Sequence, residues 1–97
     1  MATPLTLTVH NQSDGTALLK AVGEVDMSNT DALTAALDAT PGTLIIDLTD
    51  VEYLDSAGLS VLFAHADRLE IIAGPLLTPV LTVSGLVDLT TIRRPDE

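Results

Sequence analysis

Residues 43–48, TLIIDL, form a short and nearly continuous apolar run in the middle of the chain. A run of this length without polar alternation indicates a central strand that is covered over much of its surface. Pro41 and Gly42 come directly before it and end the preceding helical pattern. The run therefore predicts an α/β domain in which helices cover a sheet.

The N-terminal residues predict an antiparallel hairpin. Apolar and polar residues alternate from Leu5 to His10, which is the period-two pattern of a half-buried strand. The pair at residues 14–15, Asp-Gly, is a strong signal for a tight turn. A second strand is predicted over residues 16–22, and Gly23 is expected to end it.

A first helix is predicted between this hairpin and the central strand. Alanine and leucine recur at helical spacing over about residues 29–39. Ser28 is expected to cap this helix by accepting from the free N–H groups of the first turn. Asp31 follows three residues later and would complete a shortened capping box.

The residues after the central run predict a loop, two more helices and two more strands. A loop over residues 49–55 leads into a second helix that begins near Ser56, with Leu59, Leu62, Phe63 and Ala66 on its buried face. The next elements are a strand over 69–73, a short helix over 79–84 that Gly85 ends, and a last strand over 86–92.

The predicted order is thus β-β-α-β-α-β-α-β, with right-handed helical crossovers between parallel strands after the hairpin. The length of 97 residues fits a single domain over residues 1–97. Its core would extend over about residues 5–92, and residues 93–97 would form a tail.

The charge of the chain excludes several classes of partner. Fourteen acidic residues against four basic ones give a formal net charge of −10, and the aromatic residues are one Tyr and one Phe. Nucleic-acid binding needs several cations for the phosphates and aromatic side chains for the bases, so it is not expected. An anionic membrane surface is disfavoured for the same reason. The absence of a signal peptide and of a long apolar stretch predicts a cytoplasmic protein.

Few residues offer catalytic or metal chemistry. The chain has no cysteine, and His10 and His65 lack His or Cys companions at ligand spacing, so no metal site is predicted. The glycine-rich phosphate-binding motifs are missing, and no cofactor is expected.

Ser56 admits three interpretations. A hydrolase nucleophile would need G-x-S-x-G, but position 54 is Leu and no histidine is placed as a base, so an enzyme is not predicted. Asp55 or Ser56 could simply cap the second helix. A serine at this place could also become phosphoserine without loss of the helix, because a helix N-terminus stabilises anionic charge.

Four motifs in the same order resemble the STAS domain and, within it, the bacterial anti-sigma factor antagonists, also called anti-anti-sigma factors. They are GEVD at 23–26, LIIDL at 44–48, DSAGL at 55–59 and SGL at 84–86, where the family usually has TGL. The match extends from about Leu5 to Ile92. The resemblance implies a mixed β-sheet with the hairpin at its N-terminal end and helices on one face.

The resemblance also implies a partner-switching mechanism. In the family, the unphosphorylated antagonist binds an anti-sigma factor that is also a serine kinase, and this binding releases the sigma factor. The kinase phosphorylates the serine of the Asp-Ser motif, and a phosphatase restores binding. That serine corresponds to Ser56, and ATP and magnesium belong to the kinase. The implied partner-binding residues are Asp26, Asp55, Ser56, Ala57, Gly58 and Leu59.

The chain departs from the family pattern at its C-terminal end. The closing helix of the family is absent from the sequence, the stretch between Phe63 and Glu70 is short, and the third helix has two prolines and lacks basic residues. Uncovered apolar residues at 86, 87, 89 and 92 would then favour a homodimer or a marginally stable monomer.

Two questions stay open at this point. The chain could be an interaction subunit of a signalling or transport complex that docks through a STAS-like surface without phosphorylation. Gly58 could give a kinase access to Ser56, or it could allow tight packing of the helix against a neighbouring strand.

Overall fold

The computed structural model describes residues 4–95, and its elements follow the predicted order. The strands are β1 (Thr6–Asn11), β2 (Ala17–Val25), β3 (Leu44–Leu54), β4 (Leu69–Ile72) and β5 (Thr91–Arg93). The helices are α1 (Thr30–Asp38), α2 (Ser56–Ala64) and α3 (Thr78–Val83), and single turns of 3-10 helix lie at Ala66–Arg68 and Leu86–Asp88.

The five strands form one mixed sheet in the order β1-β2-β3-β4-β5. β1 pairs with β2 antiparallel, and every later pair is parallel. Because the parallel strands advance in one direction, right-handed crossovers place all three helices on the same face. The predicted mixed sheet with an N-terminal hairpin and helices on one face is confirmed.

The core lies between this face and the helices and is almost entirely aliphatic. The sheet register aligns Leu19, Ile46 and Ile71 in one row across β2, β3 and β4, and none of the three has exposed surface. The helices contribute four leucines to the same cluster: Leu33, Leu37, Leu62 and Leu81. Within residues 4–95, no helix is long and apolar enough to cross a membrane.

β2 and β3 are both longer than predicted. Gly23 does not end β2; it takes a φ of 111° where the register between the two strands shifts, and β2 continues to Val25. The predicted loop at 49–55 is instead strand as far as Leu54. Parallel pairing of Val25 with Leu54 extends the two strands together, so that they end side by side.

The C-terminal residues also differ from the prediction. The strand expected over 86–92 is a 3-10 turn followed by the three residues of β5, which includes Arg93 of the predicted tail. Leu86 is fully buried and Ile92 packs partly against the core, so the expectation of an uncovered surface is wrong for these two. Val87 and Leu89 are exposed as expected. Up to residue 95, no helix follows β5.

Candidate functional site

The candidate site lies where β2 and β3 end at the carboxyl edge of the parallel sheet. Val25 and Leu54 are paired across the two strands, and the Asp55 N–H donates to the Val25 carbonyl over 3.1 Å. Asp26 and Asp55 therefore begin two adjacent turns, one leading to α1 and the other to α2. Ser56, the first residue of α2, follows directly.

The Asp55 carboxylate joins these two turns. Its Oδ1 accepts from the Gly58 N–H at 3.0 Å and caps α2, while its Oδ2 accepts from the Met27 N–H at 3.1 Å. The prediction of a helix cap is confirmed for Asp55. Because both oxygens accept hydrogen bonds from the backbone, this carboxylate fixes the turn at 26–29 against the start of α2.

The turn at 26–29 is held by its own side chains. Asp26 Oδ1 accepts from the Ser28 N–H at 2.9 Å and from the Ser28 hydroxyl at 2.5 Å. Asn29 Oδ1 accepts from the Asp26 N–H at 3.0 Å, and Asn29 Nδ2 donates to the Glu24 carbonyl at 2.9 Å. The hydrogen bonds from the side chain and backbone of Ser28 lower the pKa of Asp26.

These contacts correct the prediction for the start of α1. Asn29, not Ser28, occupies the N-cap position, and it makes no side-chain cap hydrogen bond. The Ser28 hydroxyl donates to Asp26 instead of accepting from the helix. The capping box predicted from Ser28 and Asp31 is therefore wrong, because the N-cap lies one residue later than predicted and Ser28 belongs to the preceding turn.

Ser56 is exposed at the first turn of a nine-residue helix. Its backbone carbonyl accepts from the Ser60 hydroxyl at 2.9 Å, and Ser60 is also exposed one turn further along. Because Asp55 provides the cap, the Ser56 side chain is not needed to start the helix. The positive end of the helix dipole would also stabilise an anion on this side chain.

Gly58, two residues after Ser56, is buried. A Cβ at this position would lie 2.6 Å from Leu54 Cδ1 and 2.8 Å from Val25 Cγ1. Of the two roles considered for Gly58, this geometry supports close packing of α2 on the ends of β2 and β3. Ala57 and Leu59 are half-buried, and Leu59 packs against the core.

Two exposed apolar residues near Ser56 were missed by the sequence analysis. Met27 in the turn before α1 is 80% exposed, and Tyr53 near the end of β3 is 51% exposed. Each of them directly follows an acidic residue, Asp26 or Glu52, but such a signal is weak in a segment predicted to be a loop. Met27 lies beside the start of α2, because its N–H donates to Asp55, whereas Tyr53 precedes Leu54, which faces α2, and so points to the other face of the sheet.

The charged side chains around Ser56 are acidic. Asp26 and Asp55 adjoin it through the two turns, and Glu52 is exposed near the end of β3. Several basic side chains make their contacts away from Ser56. Lys20 pairs with Asp50, Arg68 contacts carbonyls at the end of α1, and Arg93 pairs with Glu70.

Both histidines lie away from Ser56. His10 is paired with Leu18 near the amino end of β2, at the opposite edge of the sheet. His65 is the C-cap of α2, about 13 Å along the helix axis from Ser56 at 1.5 Å per residue. Among residues 4–95 no group of three or more His, Cys, Asp or Glu side chains is arranged to hold a metal ion.

A protein-family model described as "Mlab, STAS domain" matches residues 9–91 of the sequence. Among curated proteins, the chain is 36% identical over 69 residues to the anti-sigma-F factor antagonist RsfB of Mycobacterium tuberculosis. The alignment covers 67% of this chain and 56% of RsfB. The chain thus spans little more than half the length of that relative.

Comparison of the structure with solved structures gives anti-sigma factor antagonists again. An antagonist from Mycobacterium paratuberculosis matches with a TM-score of 0.83 and 29% identity, over 96% of this chain and 90% of the other. The antagonist SpoIIAA in its unphosphorylated form matches with a TM-score of 0.73 over 94% of this chain and 90% of the other, at 14% identity. At 14% identity, the match to SpoIIAA shows a likeness of fold alone.

Proposed function

Because this chain belongs to the STAS domain family, we propose that it acts as an anti-sigma factor antagonist in the cytoplasm. It binds an anti-sigma factor with serine kinase activity, releases the sigma factor, and is switched off when Ser56 is phosphorylated. A phosphatase then restores binding. The observation that carries this proposal is the exposed Ser56 on a helix whose cap is supplied by its neighbour Asp55.

The exposed residues around Ser56 suit contact with a protein. Residues 56–64 of α2 contain no charged side chain, so the start of the helix offers small and apolar groups. Met27, whose N–H donates to Asp55, adds exposed apolar area beside them. Such a surface can be desolvated by a partner at little cost as long as Ser56 carries no charge.

Phosphorylation would change this surface without changing the fold. A phosphoserine adds about −1.5 to −2 charges at neutral pH. The helix N-terminus offsets part of this, typically by about 0.3–1 kcal/mol at an exposed site. The cap remains because it belongs to Asp55. In a complex, the phosphate would have to be buried beside Asp26 and Asp55, and mispaired interface charges cost several kcal/mol.

We test the switch by calorimetric titration against an anti-sigma factor kinase recovered by pull-down with the Ser56→Ala form. We expect wild type and Ser56→Ala to bind alike. The phosphorylated form should bind at least about 100-fold more weakly, the equivalent of about 2.7 kcal/mol. Ser56→Glu should fold normally and bind poorly, although one negative charge imitates phosphate only in part.

Ser60→Glu is the matched control, because it places the same charge on an exposed serine of the same helix. It should weaken binding less than Ser56→Glu does. Equal affinities for the wild-type, Ala and Glu forms at position 56 would contradict the switch. The Asp-Ser pair would then serve only to start α2.

A second candidate function is docking without phosphorylation, as an interaction subunit of a signalling or transport complex. The observation in its favour is that Asp55 has a complete structural role in joining the two turns, which needs no modification of Ser56. Intact mass after incubation with the recovered partner and ATP separates the two functions. A gain of one phosphate supports the switch, and an unmodified mass in a stable complex supports docking alone.

A further inference from the structure

The region around α3 is apolar in an otherwise acidic chain. Residues 71–87 contain no Asp, Glu, Lys or Arg, although the chain has a net charge of −10. Five exposed side chains, which we call the α3 patch, lie in or next to this segment. They are Leu76 at 65% exposure, Val80 at 36%, Val83 at 88%, Val87 at 44% and Leu89 at 55%.

The patch is formed by the exposed face of α3 and by the turns on either side of it. Val80 and Val83 lie on α3 itself, Leu76 lies in the turn before it, and Val87 lies in the 3-10 turn that follows Gly85. The other face of the same segment is buried, with Leu77, Leu81 and Leu86 in the core. The exposed side chains are therefore a second apolar face that the fold itself does not cover.

Opposite charges flank the two ends of this patch. Arg94 lines a shallow groove with Gly74, Pro75, Thr78 and Pro79, which places it beside the start of α3. Asp88 is exposed in the 3-10 turn beyond the end of α3. A positive and a negative side chain thus stand at opposite ends of an uncharged helix face.

We propose that the α3 patch is the interface of a homodimer in which two α3 helices pack antiparallel across a two-fold axis. In such an isologous contact the start of one helix meets the end of the other. Arg94 of each copy then faces Asp88 of the other copy, so the charge pattern is self-complementary. Two copies of net charge −10 repel each other through most of their surface, and the uncharged patch is where that repulsion is smallest.

The size of the patch sets the expected strength of the dimer. A standard interface buries about 800 Å² per partner, which would be about 15% of the 5339 Å² surface of this chain. One short helix and its flanks offer less than that, so we expect a dissociation constant of about 10–100 μM. None of the patch residues belongs to α2 or to the turn at 26–29, so this inference does not depend on the proposed function.

Sedimentation equilibrium of the full chain between about 1 μM and 1 mM tests the dimer. The mass should rise from 10.1 kDa toward twice that value across this range. Val83→Glu should keep the mass at the monomer value, because it places a charge at the most exposed position of the patch. Val9→Glu is the matched control, since Val9 is 50% exposed in β1, outside the patch. It should dimerise like wild type, and circular dichroism should show that both variants fold.

A charge exchange tests the antiparallel arrangement. Asp88→Arg and Arg94→Asp should each weaken dimerisation about 3–10-fold, and the double variant should restore it. A monomer mass throughout the range would overturn the proposal, as would equal effects of Val83→Glu and Val9→Glu. Loss of binding in both single variants without restoration in the double variant would overturn the antiparallel pairing.

Discussion

Gly58 is the residue on which the close approach of α2 to the sheet depends. An added Cβ would meet Leu54 Cδ1 at 2.6 Å and Val25 Cγ1 at 2.8 Å. Overpacking of this kind costs about 1–3 kcal/mol, against a gain of about 1 kcal/mol from replacing Gly by Ala in a helix, so the net loss is up to about 2 kcal/mol. We therefore expect Gly58→Ala to lower the melting temperature by up to about 15 °C in a thermal melt.

Two variants make this result specific. Ser60→Ala changes an exposed residue of the same helix and should leave the melting temperature nearly unchanged. Val25→Ala removes one of the two contacts, and the double variant with Gly58→Ala should lose less than the sum of the single effects. A higher melting temperature for Gly58→Ala, together with slower phosphorylation of Ser56, would restore the access role.

At the scale of single residues, the sequence predicted the Asp-Ser pair but not how it is held. The motif and the helix start located Ser56, and the capping preference of Asp located Asp55. The bond from the Met27 N–H to Asp55 joins residues far apart in the chain, and no local pattern encodes it. The role of Gly58 depends on the distance between helix and sheet, which is likewise a tertiary quantity.

The C-terminal end of α1 is held by a side chain from beyond α2. Arg68 Nη1 donates to the carbonyls of Thr40 at 2.6 Å and Gly42 at 2.9 Å, and Nη2 donates to the Leu37 carbonyl. The last carbonyls of a helix lack partners within the helix. A cation at this end also interacts favourably with the negative end of the helix dipole. Arg68 thus ends α1 and fixes the turn that leads into β3.

We expect Arg68→Met to lower the free energy of unfolding by about 2–3 kcal/mol, since hydrogen bonds to charged groups contribute about 1.5–3 kcal/mol. Arg68→Lys should lose less, because a single ammonium can satisfy some of the three carbonyls. Asp67→Asn, at the exposed neighbouring position, should have almost no effect in the same urea denaturation. Hydrogen exchange should show faster opening of residues 39–42 in Arg68→Met, and unchanged exchange there would contradict the capping role.

At the scale of elements, the order of the helices and strands was predictable from the sequence, but the residues at which β2 and β3 end were not. Continuous apolar residues identify the buried half of β3, but its second half carries buried Val51 and Leu54 among exposed polar residues. That half is strand because β2 lies beside it, which is a long-range cause. Gly23 was expected to stop β2, yet a glycine inside a strand can also accommodate a shift of register.

At the scale of the whole molecule, acidic residues outnumber basic ones by fourteen to four. The lysine and arginine side chains are few, and Lys20 lies between two carboxylates, 3.0 Å from Asp50 Oδ2 and 3.6 Å from Asp47 Oδ2. The hydrogen bond to Asp50, with the nearby charges of Asp47 and Asp50, raises the pKa of Lys20. Burial acts to raise the pKa of Asp47, but hydrogen bonds from Thr49 and the charge of Lys20 outweigh it and lower that pKa.

Lys20, Asp47 and Asp50 form a charged cluster. The directions of the pKa shifts of Lys20 and Asp47 define the pH range in which this cluster stabilises the fold. Asp47 has a lower pKa in the folded state, so its contribution is present above its unfolded pKa of about 4 and is lost as the pH falls through the folded value. Lys20 has a higher pKa in the folded state, so its contribution is present below about 10.4 and is lost as the pH rises further. The cluster should therefore stabilise the fold between about pH 5 and pH 10.

Lys20→Met tests this window, because Met keeps most of the apolar stem and removes the charge. We expect a loss of about 0.5–1 kcal/mol at pH 7, which is the range for partly exposed ion pairs. In urea denaturation the difference from wild type should shrink at pH 3, which lies below the unfolded pKa of Asp47 of about 4, and should be small for Lys20→Arg at pH 7. A difference that is the same at pH 3 and pH 7 would mean that Lys20 stabilises the sheet through its stem alone, and that its charge contributes nothing against the excess of acidic side chains.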